Sequence, residues 1–119
     1  MKNLSPQALA RKAGNLALSK KGFDVRILKL KKISSVCDFF VIISGDADIH
    51  NKAIGHEIVD GLREIGLKPY HKEGFKDGNW ILLDYIDVVI HIFREPIRNF
   101  YSLEKLWGDA PVEILKDEK

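Results

Sequence analysis

The chain has 119 residues, of which 45% are hydrophobic and 30% charged, a balance typical of one soluble globular domain. Its longest apolar runs are far too short to span a bilayer, and its N-terminus lacks the residue order of a signal peptide. A single cysteine excludes an internal disulfide and a cysteine-based zinc site, so we expect a cytoplasmic protein.

The net charge of +2 is distributed unevenly along the chain. Residues 1–32 hold nine Lys or Arg and one acid, a local balance of +8, whereas residues 33–119 have a balance of −6. This asymmetry favours a basic edge that lies near phosphates and an acidic face that meets basic side chains. Ordinary solvated helix and strand surfaces produce the same counts, so both interpretations remain open.

The N-terminal third predicts a helix followed by two strands. Ser5 as N-cap and Pro6 at the first helical position begin the helix, and Gly22 is placed to end it in the left-handed conformation. The first strand is expected over residues 23–31. The second, over residues 38–44, is almost continuously apolar, which argues for burial on both faces.

The middle of the chain predicts a long helix and a short strand. Residues 48–65 carry one apolar stripe at helical spacing, with Asp48 as N-cap and Gly66 as the stop: Ile49, Ala53, Ile54, Ile58 and Leu62. A strand over residues 68–72 and a turn-rich loop over residues 74–79 follow.

Residues 80–107 predict a β-hairpin that leads into an amphipathic helix. One side of the first strand carries Trp80, Leu82 and Asp84, and the matching side of the second carries Asp87, Val89, His91 and Phe93. If the loop is Tyr85-Ile86, Asp84 and Asp87 face each other, and like charges so placed usually destabilise a strand pair. The pattern indicates either a face prepared for a basic partner or solvated carboxylates at a hairpin end. His91 is likewise either a hydrogen-bonded core histidine or part of the exposed face.

The last helix is expected over residues 96–107. The polar tail, residues 111–119, is either loose or docked through Val112, Ile114 and Leu115. The chain therefore predicts a single α/β domain over residues 1–110, with a mixed sheet of about five strands and helices mainly on one side.

Two catalytic patterns come close and fail. The stretch from His56 to Asp60 resembles the zinc-protease pattern HExxH, but its fifth residue is Asp and its helix faces the core. Asp46 and Asp48 resemble the paired acids of nucleotidyltransferases, yet they follow the strand at once, where a helix cap explains Asp48. We predict no catalytic residues, metal or cofactor. The alternative is a metal-dependent nucleotidyltransferase or another nucleotide-binding enzyme that uses Asp46, Asp48 and Asp84.

Several motifs, in order and at matching spacing from about Ser5 to Ala110, resemble those of the Iojap family, whose bacterial members are ribosomal silencing factors. They are the strand D-F-F-V-I-I-S-G from Asp38, the hairpin motifs W-I-L-L-D from Trp80 and D-V-V-I-H-I-F from Asp87, and R-N-F-Y-S-L-E-K-L-W-G-D-A from Arg98. Each motif alone is weak, whereas the set is highly specific.

The resemblance implies a fold like that of nucleotidyltransferases without their catalytic residues. It implies binding to the large ribosomal subunit through large-subunit ribosomal protein fourteen, with a peripheral contact to ribosomal RNA and none to a membrane. That ribosomal protein lies on the face of the large subunit that meets the small subunit. A protein bound there would block joining of the small subunit and repress translation when nutrients are scarce.

The resemblance also places partner contacts on one face of the hairpin and around it. The contact residues it implies are Trp80, Leu82 and Asp84, with Asp38, Glu73, Asp87, His91, Arg98 and Tyr101 around them. Trp80 would be an aromatic anchor, and the carboxylates would pair with basic side chains of the partner. Arg98 and Tyr101 would either hold the hairpin or reach the partner. Because a face bearing Trp80 is apolar, a symmetric homodimer is the default expectation for the free protein.

The chain departs from the family pattern at two places. The family often has Gly in the hairpin turn, where this chain has Tyr85-Ile86, so the geometry of the loop is open. After Gly45 the family tends to have small polar residues followed by Arg. Acidic residues stand there in this chain, which argues against a basic contact at that helix start.

Overall fold

The computed structural model describes residues 4–116, apart from the side chain of Phe100. The elements in chain order are α1 (Pro6–Ser19), β1 (Phe23–Lys29), β2 (Phe39–Gly45), α2 (Asp48–Arg63), β3 (His71–Glu73), β4 (Trp80–Asp84), β5 (Val88–Arg94), α3 (Glu95–Tyr101), α4 (Leu103–Leu106) and β6 (Val112–Leu115). The predicted α/β class and its flanking helices are confirmed.

The strands form one mixed sheet in the order β3-β4-β5-β2-β1-β6. Strands β2 and β5 are parallel neighbours at the centre, and the other pairs are antiparallel. The sheet has six strands rather than about five because residues 112–115 pair with β1. The docked alternative for the tail therefore holds for these residues, while residues 117–119 lie outside the described residues.

The helices cover both faces of the sheet unequally. The two long helices, α1 and α2, bury one face in a large apolar cluster that includes Val41 and Ile90. Alternate residues of the same strands, among them Ile42 and Phe93, form a smaller cluster on the opposite face. There α3, α4 and the residues just after them cover only part of the sheet, through Ile97 and neighbouring apolar side chains. This second face therefore leaves apolar side chains partly open to solvent.

The ends of α1 agree with the sequence at one terminus and not at the other. Ser5 is the N-cap as predicted, and its hydroxyl accepts a hydrogen bond from the Ala8 amide at 3.1 Å. At the other end Lys21, not Gly22, takes the left-handed conformation, with φ 64°. The predicted role of Gly22 was wrong. Its position is tightly packed instead, since an added Cβ would lie 3.1 Å from the Ile43 side chain.

The long helix α2 ends near Gly66 as predicted but begins differently. The N-cap is Ala47, which makes no side-chain cap, and Asp48 is the first helical residue. The predicted Asp48 cap was therefore wrong. The carboxylate lies in the first turn instead, where its negative charge interacts favourably with the helix dipole. Ile49 is 75% exposed and Ala53 is also exposed, so of the predicted stripe only Ile54, Ile58 and Leu62 are buried.

The predicted C-terminal helix is broken into α3 and α4. Ser102 lies between them with φ 49°, a left-handed conformation that a continuous helix cannot contain. The break turns α4 so that Glu104 meets the Arg98 guanidinium. Within residues 4–116 no helix has both the length and the apolar character needed to cross a bilayer.

Candidate functional site

The hairpin of β4 and β5 brings most of the predicted contact residues to one face of the sheet. Trp80 pairs with Phe93, Leu82 with His91, and Asp84 with Val89. The loop is Ile86-Asp87 rather than Tyr85-Ile86, so the expectation that Asp84 and Asp87 face each other was wrong. The register differs by two residues from the predicted one, and a shift of two keeps every side chain on its predicted face.

The hairpin loop is built without glycine. Ile86 takes a φ of 73°, a conformation that costs a β-branched residue free energy. The Asp84 carboxylate accepts a hydrogen bond from the Ile86 amide at 2.7 Å, and the Asp87 amide donates to the Tyr85 carbonyl at 2.9 Å. The side chain of Asp84 thus closes a turn that holds the Ile86 amide, while Ile86 itself bears the positive φ that glycine often takes in such a loop.

Trp80 is the centre of an aromatic cluster on this face. Its ring centroid lies 4.7 Å from that of Phe93 and 4.8 Å from that of Tyr101. Its indole nitrogen donates a hydrogen bond to Nδ1 of His91 at 3.1 Å. The indole is half-buried, so its orientation is fixed from behind while part of its surface is open to solvent.

His91 is the core histidine of the two alternatives. It is 4% exposed, and burial lowers its pKa to about 4, so the imidazole is neutral at physiological pH. Because Nδ1 accepts from Trp80, the proton resides on Nε2, which makes no hydrogen bond with another described residue. Phe40 packs edge-on against the ring, with centroids 4.6 Å apart. His91 therefore supports the face rather than forming its outer surface.

Three carboxylates gather where β2 begins and the hairpin turns. The Asp38 amide donates to the Asp87 carbonyl at 2.8 Å, which joins the start of β2 to the hairpin loop. Burial, and then the nearby charges of Asp38, Asp84 and Asp87, raise the pKa of the Cys37 thiol to about 11. Within the described part of the chain none of the three carboxylates forms an ion pair. We call Asp38, Asp84 and Asp87 the acidic cluster.

Glu73 lies beside Trp80 on the short edge strand β3, where it pairs with Leu82. A hollow of about 260 Å³ opens between them and is lined by Glu73, Gly74, Trp80 and Leu82. One oxygen of the Glu73 carboxylate lies 2.6 Å from His71 Nε2 and the group is otherwise solvated. This surface is thus an aromatic centre with a carboxylate on one flank and the acidic cluster on another. We call it the candidate face, and it comprises Trp80, Leu82, Tyr101, Glu73 and the acidic cluster.

Arg98 holds this face together from inside the molecule. It is 4% exposed, and its guanidinium donates to Ser44 Oγ and to the Asp24 carbonyl, both at 2.7 Å. It also donates to the Glu104 carboxylate at 2.7 Å. These bonds tie α3 to β1, β2 and α4, and so fix the helix from which Tyr101 reaches Trp80. Arg98 is too buried to reach a partner, and its bonds go to β1, β2 and α4 rather than to the hairpin itself, which Tyr101 contacts through Trp80.

Sequence reasoning missed Phe40 as part of this face. It was assigned to a strand buried on both sides, yet its ring is half-buried and contacts His91 and Trp107. The alternation of side chains along the strand could have predicted this position. Phe40 points to the opposite side of the sheet from Val41, which packs under the long helices.

The aspartates of the alternative enzyme do not converge. Asp84 lies level with Phe40 near the beginning of β2, whereas Asp46 follows the end of that strand, roughly 15 Å or more away along it. No group of three or more His, Cys, Asp or Glu is arranged to hold a metal ion among residues 4–116. The three-aspartate site that the alternative enzyme requires is therefore not formed.

Fold and site together define an α/β domain whose distinctive feature is a partly open aromatic and acidic face on a mixed sheet. The family described as "Ribosomal silencing factor during starvation" matches residues 3–119. The chain belongs to this family.

Individual relatives agree over most of the chain. A protein named ribosomal silencing factor RsfS from Halalkalibacterium halodurans is 41% identical over 95% of this chain and 97% of its own length. The protein of the same name from Bacillus subtilis is 43% identical over 81% of each chain. A crystal structure of a Chromobacterium violaceum protein superposes with a TM-score of 0.85 at 30% identity and covers 88% of both chains.

Proposed function

We propose that this protein binds the large ribosomal subunit through large-subunit ribosomal protein fourteen and thereby blocks joining of the small subunit without catalysis. Membership of the ribosomal silencing family supports a role at the ribosome in regulating translation. The observation that carries the proposal is the Trp80 indole, half-buried and fixed between Phe93, Tyr101 and His91. A rigid aromatic with an open edge is the kind of anchor that dominates binding energy at interfaces.

The charges around Trp80 favour a basic partner. Asp38, Asp84, Asp87 and Glu73 are solvated or half-buried carboxylates, and none forms an ion pair with a described Lys or Arg. They therefore suit a partner surface that carries Lys and Arg, and such complementarity speeds and orients association. His91 and Arg98 contribute from behind, because both are buried and fix the exposed residues. The proposed block of subunit joining is steric, since a domain seated on the joining surface leaves no room for the other subunit.

Co-sedimentation with separated large and small ribosomal subunits tests the proposal. We expect wild-type protein to sediment with the large subunit only and to lower the fraction of joined ribosomes in sucrose gradients. Trp80→Ala should weaken binding at least about 30-fold, equivalent to about 2 kcal/mol. Asp84→Lys should also weaken it, because it reverses a charge within the acidic cluster.

Asp46→Lys is the matched control, because it reverses an exposed carboxylate at the opposite end of β2. It should bind as wild type does. Equal binding of Asp84→Lys and wild type would contradict the proposed face. If circular dichroism shows that Trp80→Ala is unfolded, Trp80 belongs to the core and the anchor assignment fails.

The same open aromatic face supports a homodimer when the protein is free of its partner. A symmetric dimer would cover Trp80 and compete with ribosome binding. Analytical ultracentrifugation of wild type and Trp80→Ala tests this: we expect the variant to shift towards monomer. Dimerisation that is unchanged in the variant would place the dimer interface elsewhere.

A further inference from the structure

A second charged surface lies beside the acidic cluster and has no part in the proposed binding of the ribosomal protein. It is a hollow of about 350 Å³ where α1, the end of β1, the start of β2 and the residue before β6 meet. Its lining includes three lysines over an apolar floor: Lys29, Lys31, Lys32, Ile33, Phe39 and Pro111. We call it the lysine hollow.

The backbone holds the lysine hollow in a defined shape. The Lys29 amide donates to the Pro111 carbonyl at 2.9 Å, and the Ile33 amide donates to the Leu30 carbonyl at 2.9 Å, which closes the turn that carries Lys31 and Lys32. Lys29 also pairs with Phe39 across the β1–β2 ladder. The three lysines are neighbours in the sequence, and the tertiary structure places Phe39 and Pro111 beside them.

The ammonium groups of the lysine hollow are not neutralised by the chain itself. Lys31 and Lys32 are exposed, and none of the three lysines forms an ion pair within residues 4–116. Carboxylates are nevertheless near, since the Leu30 amide donates to the Asp38 carbonyl and the Asp38 amide to the Asp87 carbonyl. One strand spacing, roughly 5 Å, therefore separates the backbone of Lys29 from the segment that carries Asp38, and two spacings, roughly 10 Å, separate it from the Asp87 loop. Opposite charges lie side by side at one end of the sheet without pairing.

We propose that the lysine hollow binds an unpaired nucleotide of RNA, with its phosphates on Lys29, Lys31 and Lys32 and its base over the apolar floor. Clustered lysines release the counterions condensed on nucleic acid, and an apolar floor beside them accepts the flat face of a base. The proposal deepens the proposed function and rests on it for the identity of the RNA as ribosomal. At one end of the sheet, the acidic cluster would then contact a basic protein and the lysine hollow would contact RNA.

The first test is the salt dependence of binding to purified large ribosomal subunits. The hollow variant carries Lys29→Gln, Lys31→Gln and Lys32→Gln. Its control carries Lys20→Gln, Lys21→Gln and Lys76→Gln, which remove the same charge from exposed sites at the opposite end of the sheet. Because the hollow variant no longer neutralises three phosphates, the slope of log affinity against log KCl concentration should become shallower by about 2. The affinity gained on lowering the salt from 1 M to 0.1 M should therefore be about 100-fold smaller than for wild type. A slope equal to that of the control overturns the proposal.

Crosslinking identifies what lies against the lysine hollow. Cys37 is buried and its raised pKa keeps the thiol protonated, so a cysteine introduced by Lys32→Cys is labelled selectively with a benzophenone maleimide. After irradiation on the large subunit we expect a crosslink that ribonuclease releases, and none from Lys76→Cys. A crosslink that resists ribonuclease and yields to protease overturns the assignment to RNA. Lysine-dependent binding to phosphatidylglycerol vesicles as tight as to the large subunit would also overturn it, in favour of a membrane surface.

Isolated large-subunit protein fourteen separates this proposal from the function on which it rests. The hollow variant should bind the isolated protein as wild type does, whereas Asp84→Lys should not. If wild type and Asp84→Lys bind the isolated protein equally, and the ribonuclease-sensitive crosslink is retained, the protein partner is refuted and the RNA site stands. The reverse result would refute only the RNA site.

Discussion

At the scale of single residues, burial decides which polar groups act on a partner and which act within the chain. His91 and Arg98 are each 4% exposed and point into the molecule, whereas Asp87 in the loop between β4 and β5 is exposed. The sequence marked all three alike as contact residues. Only the burial of each side chain distinguishes the residues that support the face from those that form its surface.

The buried state of His91 predicts a dependence of stability on pH. Its folded pKa of about 4 lies below the ordinary 6.5, so the unfolded chain binds the proton first as pH falls. Stability is therefore full above about pH 6.5 and decreases down to the folded pKa, with a loss of about 2 kcal/mol between pH 7 and pH 5. Urea unfolding at the two pH values measures it.

His91→Gln provides the comparison, because an amide oxygen can still accept from Trp80 without titrating. The other histidines are present in both proteins, so the difference between the two pH effects isolates His91. We expect the variant to lose most of the decrease between pH 7 and pH 5. An equal pH effect in both proteins would mean that His91 is not held neutral.

At the scale of elements, the buried side-chain amide of Asn51 connects three segments that precede β4 in the chain. Asn51 in the first turn of α2 is fully buried, and its amide nitrogen donates to the Gly78 carbonyl at 2.7 Å. Its amide group also occupies the space that a Cβ on Gly45, at the end of β2, would need. The contact links β2, α2 and the loop that leads to Trp80. Glycine is therefore needed at position 45 because the Asn51 side chain approaches its backbone closely, and not because of a left-handed φ.

This contact predicts a non-additive pair of substitutions. Gly45→Ala should destabilise the wild type by about 1–3 kcal/mol through overpacking. In an Asn51→Ala background the same change should cost less, because the amide that blocks the space is gone. Urea unfolding of the two single variants and the double variant measures the coupling. Gly108→Ala, at an exposed turn, serves as the control, and additive effects at Gly45 and Asn51 would contradict the steric account.

At the scale of the whole molecule, the C-terminal residues complete the sheet. Strand β6 covers the outer edge of β1, and Leu115 packs against the large apolar cluster. Across the surface, Arg11 and Glu113 form an ion pair at 2.9 Å. An uncovered β1 would present unpaired backbone groups along Val25 to Leu28, a template for association with another chain.

Deleting residues 111–119 is therefore expected to lower the free energy of unfolding by more than about 2 kcal/mol and to promote self-association, because buried apolar area and ladder hydrogen bonds disappear together. Urea unfolding and size-exclusion chromatography check both effects. Glu113→Gln removes only the partly exposed ion pair and should cost less than about 1 kcal/mol. A deletion no more harmful than Glu113→Gln would mean that β6 contributes nothing beyond that pair.

Local patterns in the sequence carried most of the secondary structure. Ser5-Pro6, the stop near Gly66 and the alternation along β4 and β5 each depend on a few neighbouring residues, and each appears as predicted. The errors have both local and distant origins. The hairpin loop lies one residue later than predicted, where the Asp84 carboxylate accepts a hydrogen bond from the nearby Ile86 amide. The break at Ser102 follows a helix that Arg98 ties to Asp24 and Ser44, which are far away in the sequence.

The sequence by itself determined the α/β class, the faces of the hairpin and the family of the protein, because strand parity and motif order are properties of the chain alone. Only the tertiary structure decided that His91 and Arg98 are buried, that three aspartates around Cys37 form one cluster, and that three lysines share a hollow with Phe39 and Pro111. Burial and charge proximity are set by residues far apart in sequence. Their physical effects exist only once the sheet has assembled.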